Sequence, residues 1–292
     1  MFAYSRWDVV PVLAALLQGT YLIGLVLLFP HANWSTRVLL GCIYAISISW
    51  NINGISHNFL HNPYFRSRAL NRLFSIWESL VVGFSQVFYE CVHKRHHKGN
   101  SDRRDEKGET VDWLSIYRYG EDGEAENVWK YTFLGYFRDD ISATYKVLKE
   151  QDPIETRWGI FEIVLVSCVY LTALVLNWRF MLYFFMFYYL GHSLSNLNGY
   201  YRHYGGNPDE PMAWGVSSYG ALYNWIWFNN GYHAEHHYRP RVHWTKMKTL
   251  HEQIKDEMKK AGVRIITPPH ALGFLDRSLP RRRKVALSGR PA

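Results

Sequence analysis

Four long apolar runs, separated by polar stretches, dominate the pattern of hydrophobic and polar positions along the 292-residue chain. Residues 9–29 contain no Asp, Glu, Lys or Arg, and residues 158–178 contain only Glu162. A helix of about 20 residues crosses the roughly 30 Å hydrocarbon core of a bilayer. The runs therefore predict four transmembrane helices, at about residues 9–29, 38–60, 158–178 and 180–202.

A fifth apolar run, residues 73–89, is shorter and contains Glu78. It predicts a re-entrant or interfacial helix rather than a full span. The polar remainder, about residues 90–157 and 204–292, predicts a helical cytosolic cap beside the membrane. The chain is thus expected to be one all-α integral membrane domain over residues 1–292.

Basic residues indicate which side of the membrane the cap occupies. Pairing the spans as two hairpins leaves only Arg37 and Arg179 on the far side, and the other 31 of the 33 Lys and Arg face the near side. The positive-inside rule makes the near side the cytoplasm, of a cell inner membrane or the endoplasmic reticulum. The basic run 280–285 is expected to be solvated or to contact anionic lipid. No nucleic-acid partner is expected.

Eight of the 14 histidines fall into three short boxes, spaced as HxxxH, HxxHH and HxxHH. Residues three and four apart lie on one face of a helix, so each box can direct two or three imidazoles to one point. Each box lies on the predicted cytoplasmic side, and the three therefore converge on one face of the membrane. The boxes contain His57 and His61; His93, His96 and His97; and His233, His236 and His237.

His203 is a ninth histidine with similar placement, since it follows the fourth apolar run. Nine imidazoles can complete two four- or five-coordinate metal sites, and neutral imidazole suits iron, copper, zinc and nickel. The three cysteines are too scattered for a cysteine-based zinc site. Two metals without thiolates or dominant carboxylates favour redox iron over one tetrahedral zinc or oxygen-bound magnesium.

The boxes resemble those of the membrane-bound fatty acid desaturase and hydroxylase superfamily, in which HxxxH or HxxxxH, HxxHH and HxxHH accompany four transmembrane helices. The third box continues to Pro240, similar to the family's HxxHHxxP ending. Residues 202–205, Arg-His-Tyr-Gly, are similar to the segment where alkane monooxygenases place an additional iron-binding histidine. Residues 112–117 also resemble the family, without an assigned role. The resemblance covers about residues 37–245.

The resemblance implies a non-haem di-iron centre in the cap, with O2 as co-substrate. It implies electrons from an external ferredoxin, rubredoxin or cytochrome, because no fused cytochrome b5 segment is recognised. No catalytic residue beyond the metal centre and no organic cofactor site are expected. The implied iron ligands are His57, His61, His93, His96, His97, His203, His233, His236 and His237.

Further polar residues are candidates for orienting these ligands through the second nitrogen of an imidazole. Glu235, inside the third box, is instead expected to point away from the histidine face and form a salt bridge. His192 is expected to be a hydrogen-bonded interior residue, because a straight helix separates it from His203 by about 16 Å. The candidates for orienting the ligands are Asn198, Glu78, Glu90 and Glu162.

The leading interpretation is a desaturase of a fatty acyl or related alkyl chain, an enzyme of lipid metabolism. Removing hydrogen from an unactivated methylene requires a cofactor, since no side chain does so unaided. A hydroxylase or monooxygenase of the alkane-hydroxylase type is the second interpretation, favoured by the segment around His203. A membrane zinc hydrolase is a third, from another class, and metal analysis separates it from the first two.

Overall fold

The computed structural model describes residues 1–207 and 209–279. Their regular secondary structure is helical, and two isolated β-bridges are present among them. The basic run 280–285 lies outside the described residues. The α-helices, in chain order, are α1 (Val9–Leu28), α2 (Trp34–Trp50), α3 (His57–His61), α4 (Arg68–Val82), α5 (Gln86–Gly99), α6 (Val128–Leu134), α7 (Ile141–Gln151), α8 (Pro153–Leu176), α9 (Trp178–His203), α10 (Ala221–Ile226), α11 (His233–Tyr238) and α12 (Met247–Lys260). A π-helical segment joins α2 to α3, and short 3-10 helices lie at Arg6–Asp8, Gly135–Phe137, Pro211–Ala213, Trp244–Lys246 and His270–Leu275.

Three helical segments are long and apolar enough to cross a membrane, and they coincide with the first three predicted spans. The chain is therefore a helical membrane protein. The fourth predicted span corresponds to α9, which has sufficient length at 26 residues. Polar residues such as His192, Asn198 and Arg202 keep α9 from meeting the same standard of apolarity, so its crossing remains a prediction. The three qualifying segments are Arg6–Leu28, Trp34–His61 and Pro153–Leu176.

Helix α9 packs closely along α2, and two glycines allow the approach. A Cβ on Gly191 would lie 2.8 Å from the Ala45 carbonyl oxygen, and one on Gly41 would overlap the Phe187 ring. Small residues bring membrane helices together in this way because their backbones can then touch. The interface joins the helix that leads into the first histidine box to the helix that ends at His203.

The run 73–89, expected to be one short re-entrant or interfacial segment, is two helices with a sharp break between them. Helix α4 ends at Gly83, whose φ of 81° is in the left-handed region, and the Ser85 hydroxyl caps α5 by accepting from the Phe88 amide. Glu162 on α8 stabilises the break, because its carboxylate accepts from the Ser85 hydroxyl at 2.7 Å and from the Val87 amide at 3.1 Å. The break sets the direction in which α5 carries the second box.

Candidate metal centre

The first histidine box begins where the α2 helix widens. Residues Asn51–Ser56 form a π-helical segment that is wholly buried, and His57 and His61 follow on α3. A π-helical turn inserts an extra residue into the helix and is frequent at functional sites. His57 and His61 are four residues apart, so both rings lie on one face of α3.

The nine predicted histidines come together in two compact groups. In each group the ring nitrogens that could bind a metal lie within 4.8 Å of one another. We call them the five-histidine group and the four-histidine group. The five-histidine group consists of His57, His61, His93, His97 and His236, and the four-histidine group consists of His96, His203, His233 and His237.

Each HxxHH box divides its histidines between the two groups. On α5, the i and i+4 residues His93 and His97 join the five-histidine group, and His96 joins the other. On α11 the division is reversed, since His236 alone joins the five-histidine group. Around the helix axis, the i+4 position lies about 40° from position i on one side, and the i+3 position lies about 60° from position i on the other side. The two short helices therefore each contribute to both groups, which holds the groups side by side.

The ring nitrogens in these groups face one another, and there are too few N–H hydrogens for every facing pair to form a hydrogen bond. A neutral imidazole carries a single N–H, and several buried nitrogens have no partner at all among the described residues. Unpartnered buried polar atoms require an explanation, and a shared metal ion supplies one. The facing Nε2 pairs are His61–His93 at 2.7 Å, and His93–His97, His97–His236 and His203–His233 at 3.1 Å each. The unpartnered atoms are both nitrogens of His57, Nδ1 of His97 and His233, and Nε2 of His237.

Burial favours the neutral form of five of these imidazoles. Desolvation lowers the pKa of each of the five well below the ordinary value of 6.5, and neighbouring imidazoles lower it further. Neutral imidazole is the form that binds a metal, so the residues fit a pair of metal sites. The histidines affected are His93, His97, His233, His236 and His237.

Three hydrogen bonds orient imidazoles of the four-histidine group through the ring nitrogen Nδ1. His96 Nδ1 lies 2.7 Å from the carboxylate of Asp112, and His237 Nδ1 lies 2.6 Å from the amide oxygen of Asn100. His203 Nδ1 lies 3.2 Å from the Trp214 carbonyl oxygen. Each acceptor fixes the hydrogen on Nδ1 and leaves Nε2 free for a metal, which is the usual role of residues behind a ligand.

Asp112 and Asn100 were not among the residues expected to orient the ligands. Asp112 lies in the segment 112–117, which resembled the family without an assigned role. The acidic residue that begins this segment was the only signal in the sequence for its role. Its carboxylate is fully buried and also accepts from the backbone amides of Ser101 and Leu114. Asn100 carries no comparable signal, because the left-handed φ of 51° that aims its side chain appears only in the structure.

The three glutamates proposed for that role make their hydrogen bonds and ion pairs with other groups. Glu162 stabilises the break before α5 and also accepts from the Ser75 hydroxyl. Glu78 accepts from the Ser56 hydroxyl at 3.0 Å, which supports the π-helical segment and not an imidazole. Glu90 pairs with Lys94 on the same helix, since its side chain is on the exposed face of α5. The fourth candidate, Asn198, is buried with an unpartnered Nδ2 and contacts no box histidine by a hydrogen bond.

Two other expectations are confirmed. Glu235 turns away from the histidine groups and pairs with His251 Nδ1 at 2.6 Å, while Ser217 and Tyr219 donate hydroxyl hydrogen bonds to it. His192 is a hydrogen-bonded interior residue, with its Nε2 3.4 Å from the Val82 carbonyl oxygen.

A cavity of about 580 Å³ reaches the histidine groups. This volume is within the range of about 300–1,000 Å³ that is typical of small-molecule sites. Part of its wall is polar. The lining includes the histidines His57, His93, His96, His203 and His233, the apolar and aromatic residues Phe84, Phe88, Tyr89, Tyr136, Ile163, Val166 and Tyr188, and the charged residues Arg118, Arg138, Asp139 and Arg202.

Comparison with known proteins adds an independent result. The model of the family described as fatty acid desaturase matches residues 32–269, a range that contains all three boxes and His203. The chain belongs to the fatty acid desaturase family. Membership makes it an oxidoreductase of lipid metabolism and confirms the resemblance inferred from the boxes.

Its curated relatives include sphingolipid delta(4)-desaturases. The chain is 27% identical over 264 residues to that enzyme of Schizosaccharomyces pombe, covering 85% of this chain and 68% of the yeast protein. It is 23% identical to a DES1-like sphingolipid delta(4)-desaturase of Arabidopsis thaliana, covering 76% of this chain and 64% of the plant protein. The chain thus spans about two thirds of the length of these relatives.

Proposed function

We propose that this protein is an O2-dependent, non-haem di-iron desaturase of a fatty acyl or related alkyl chain. The observation that supports the proposal is the pair of adjacent groups made only of histidine, five of whose members line one cavity. Imidazole sets without thiolates or carboxylates suit iron better than magnesium or calcium.

The five-histidine group would hold one iron and the four-histidine group the other. Iron, when bound, supplies the redox chemistry that activates O2 for removal of hydrogen from an unactivated methylene. The chain's own residues prepare for this. Asp112 and Asn100 hold hydrogens on Nδ1 of His96 and His237, so that Nε2 of each ring is available. The aromatic walls of the cavity place a hydrocarbon chain beside the groups and limit the access of water.

The substrate proposed is a long-chain lipid. The relatives are named for sphingolipid and for the delta(4) position, which is a position close to the polar end of a lipid chain. The cavity combines aromatic walls with charged residues, as a lipid with a polar end requires. A sphingolipid-like chain is therefore the first substrate to test.

The proposal includes an external electron donor, a ferredoxin, rubredoxin or cytochrome, and an active site on the cytoplasmic face. The excess of Lys and Arg on the near side of the spans supports that orientation. It also includes α9 as the fourth membrane span, since its 26 residues are long enough and its polar residues face the cavity.

Hydroxylation is the second candidate function. It is favoured by His203, which lies in the four-histidine group and corresponds to the segment that resembled alkane monooxygenases. Both reactions begin with removal of one hydrogen from the same carbon. They differ in whether a second hydrogen is removed or an oxygen atom is added.

The experiment that tests the proposal is expression with a ferredoxin and its reductase, followed by mass spectrometry of lipids fed to the host. Loss of two hydrogens identifies desaturation, and gain of one oxygen atom identifies hydroxylation. Metal analysis of the purified protein should find two irons per chain. One zinc and no iron would contradict both reactions and return the zinc hydrolase to consideration.

Variants of the box histidines complete that experiment. His236→Ala removes a nitrogen that lies 3.1 Å from Nε2 of His97, so iron content should fall and product should disappear. His31→Ala is the matched control, because His31 is exposed and lies outside the boxes. Full activity of His236→Ala would contradict its assignment as a ligand.

A further inference from the structure

Arg202 is a buried cation at the point where the cavity meets the histidine groups. It is 4% exposed, it precedes His203 at the end of α9, and it lines the same cavity as His57 and His233. His57 belongs to the five-histidine group and His233 to the four-histidine group, so the wall of the cavity brings Arg202 together with a member of each group.

Part of the hydrogen-bonding capacity of Arg202 is unused. Its Nη2 donates to the Asn53 carbonyl oxygen at 3.4 Å, a long contact, and the phenol of Tyr223 also forms a hydrogen bond with the guanidinium. Its Nε is buried and has no partner among the described residues. Within the part of the chain that the structure describes, no Asp or Glu forms an ion pair with this residue.

A buried guanidinium N–H without an acceptor, such as Nε of Arg202, is costly, and arginine cannot become neutral by losing its proton. Metal ions bound by the histidine groups would add positive charge rather than offset it. Two buried acids of the cap region, Asp112 and Glu235, are already bound to His96 and His251. An oxygen acceptor that enters through the cavity would complete the hydrogen bonds of Arg202.

We propose that Arg202 binds an oxygen-bearing polar group of the lipid, a carboxylate or a hydroxyl, and so holds that group beside the carbon that reacts. This inference rests on the proposed function, and it adds that the polar end of the substrate lies close to the histidine groups. Arg202 is then a specificity-determining residue. It selects lipids in which the attacked carbon is near a polar group, and it disfavours plain hydrocarbons.

The test measures binding by the purified full-length protein in detergent, without turnover. The probes are radiolabelled hexadecane, hexadecan-1-ol and hexadecanoate, which share one chain length and differ in the terminal group. Wild-type protein should bind one or both oxygen-bearing probes more tightly than hexadecane. Arg202→Gln should weaken that binding roughly ten- to a hundredfold and leave hexadecane unchanged, because a hydrogen bond to a charged group is lost. Comparison of the alcohol with the carboxylate identifies which acceptor is preferred.

Two controls separate this role from a structural one. Arg179→Gln removes an arginine from the opposite end of α9 and should bind all three probes like wild type. Arg202→Lys keeps the charge and should retain part of the preference. Iron per chain and Tm should be the same in Arg202→Gln as in wild type.

The proposal would be overturned by wild-type protein that binds the three probes equally or binds none of them. Equal weakening of all three in Arg202→Gln, or loss of iron from that variant, would also overturn it. Failure of the wild type to desaturate any lipid is a separate result, because it would remove the proposed function while leaving a binding preference intact.

Discussion

Single polar side chains decide which nitrogen of each histidine faces the centre. Asp112 accepts from His96 at 2.7 Å and is itself held by two backbone amides, so the ring can adopt one orientation only. Asn100 does the same for His237 from a left-handed backbone position. These contacts matter because an imidazole can bind a metal through either nitrogen. The hydrogen-bond partner of one nitrogen determines that the other nitrogen is available to the metal.

Replacement of Asp112 by Ala should weaken metal binding by about 10- to 100-fold, because His96 loses the acceptor that orients it. Asp112→Asn should be milder, since the amide oxygen can still accept from Nδ1. Iron content after dialysis against a graded chelator series measures the effect. Asp256→Asn, an exposed site on α12, is the control and should match wild type. Unchanged iron affinity in Asp112→Ala would contradict the orienting role.

His270 should make the protein less stable in acid. Its Nε2 donates to the Val216 carbonyl oxygen, and its Nδ1 accepts from the Tyr223 hydroxyl, so the neutral ring satisfies both contacts. Burial lowers its pKa from 6.5 to about 3. Below pH 6.5 the unfolded chain therefore binds a proton that the folded chain does not, and stability falls as the pH falls from about 6.5 to about 3.

The contribution of His270 should be about 1.4 kcal/mol per pH unit in that window and absent above it. His270→Gln should flatten the decline of Tm below pH 6.5 relative to wild type, although it removes a contact at neutral pH. The exposed His31→Gln gives the reference curve. Parallel curves for wild type and His270→Gln would show that this group does not protonate on unfolding.

At the scale of elements, the break between α4 and α5 directs the second histidine box. Gly83 has a φ of 81°, and a Cβ there would lie 2.5 Å from the Tyr188 hydroxyl oxygen on α9. Glu162 holds the following residues from α8. The turn is thus fixed by its own backbone conformation and by two neighbouring helices, which explains why one apolar run becomes two helices.

Gly83→Ala should destabilise the protein by about 1–2 kcal/mol from the backbone alone, because a left-handed conformation disfavours a Cβ. The overlap with Tyr188 should add to this, and iron content should fall as α5 shifts. Tm in detergent and metal analysis measure both effects. Gly24→Ala in α1 is the control, because nothing lies within 4 Å of its added methyl group and Ala favours a helix. A Tm for Gly83→Ala equal to that of wild type would contradict this account.

At the scale of the whole molecule, the histidine boxes lie at the end of the apolar segments or outside them. The segments Arg6–Leu28, Trp34–His61 and Pro153–Leu176 are long and apolar enough to cross a membrane. Two of the three boxes lie on α5 and α11, outside these segments, and the first ends the second segment. We therefore expect one membrane face to carry the whole histidine assembly.

Labelling of single cysteines should identify that face. In a variant with Cys42, Cys91 and Cys168 replaced by Ser, Glu106→Cys should react with a membrane-impermeant maleimide only from the cytoplasmic side. Thr36→Cys, in the first turn of α2, should react only from the opposite side; both positions are exposed. Sealed vesicles of each orientation provide the comparison. Labelling of both positions from the same side would contradict the proposed hairpin arrangement.

Local patterns were sufficient for much of this protein. Three spans follow from run length, and eight of the nine histidines follow from spacing of three and four, because both depend on the geometry of a single helix. His203 was expected from its place after the fourth apolar run. The fourth span was predicted in the same way, and it stays a prediction because α9 carries polar residues, several of which line the cavity. The family was evident from the boxes for the same local reason.

Contacts between distant residues were decided only in three dimensions. Which histidine joins which group depends on how α3, α5, α9 and α11 meet. The partners of His96 and His237 are 16 and 137 residues away, and no periodicity connects them. Glu162 illustrates the same limit, because a buried acid in a membrane helix suggested a role at the metal, and its neighbours instead made it the support of a turn. Spacing along one helix determines which side chains share a face of that helix. Packing between helices determines which residues of other elements those side chains contact.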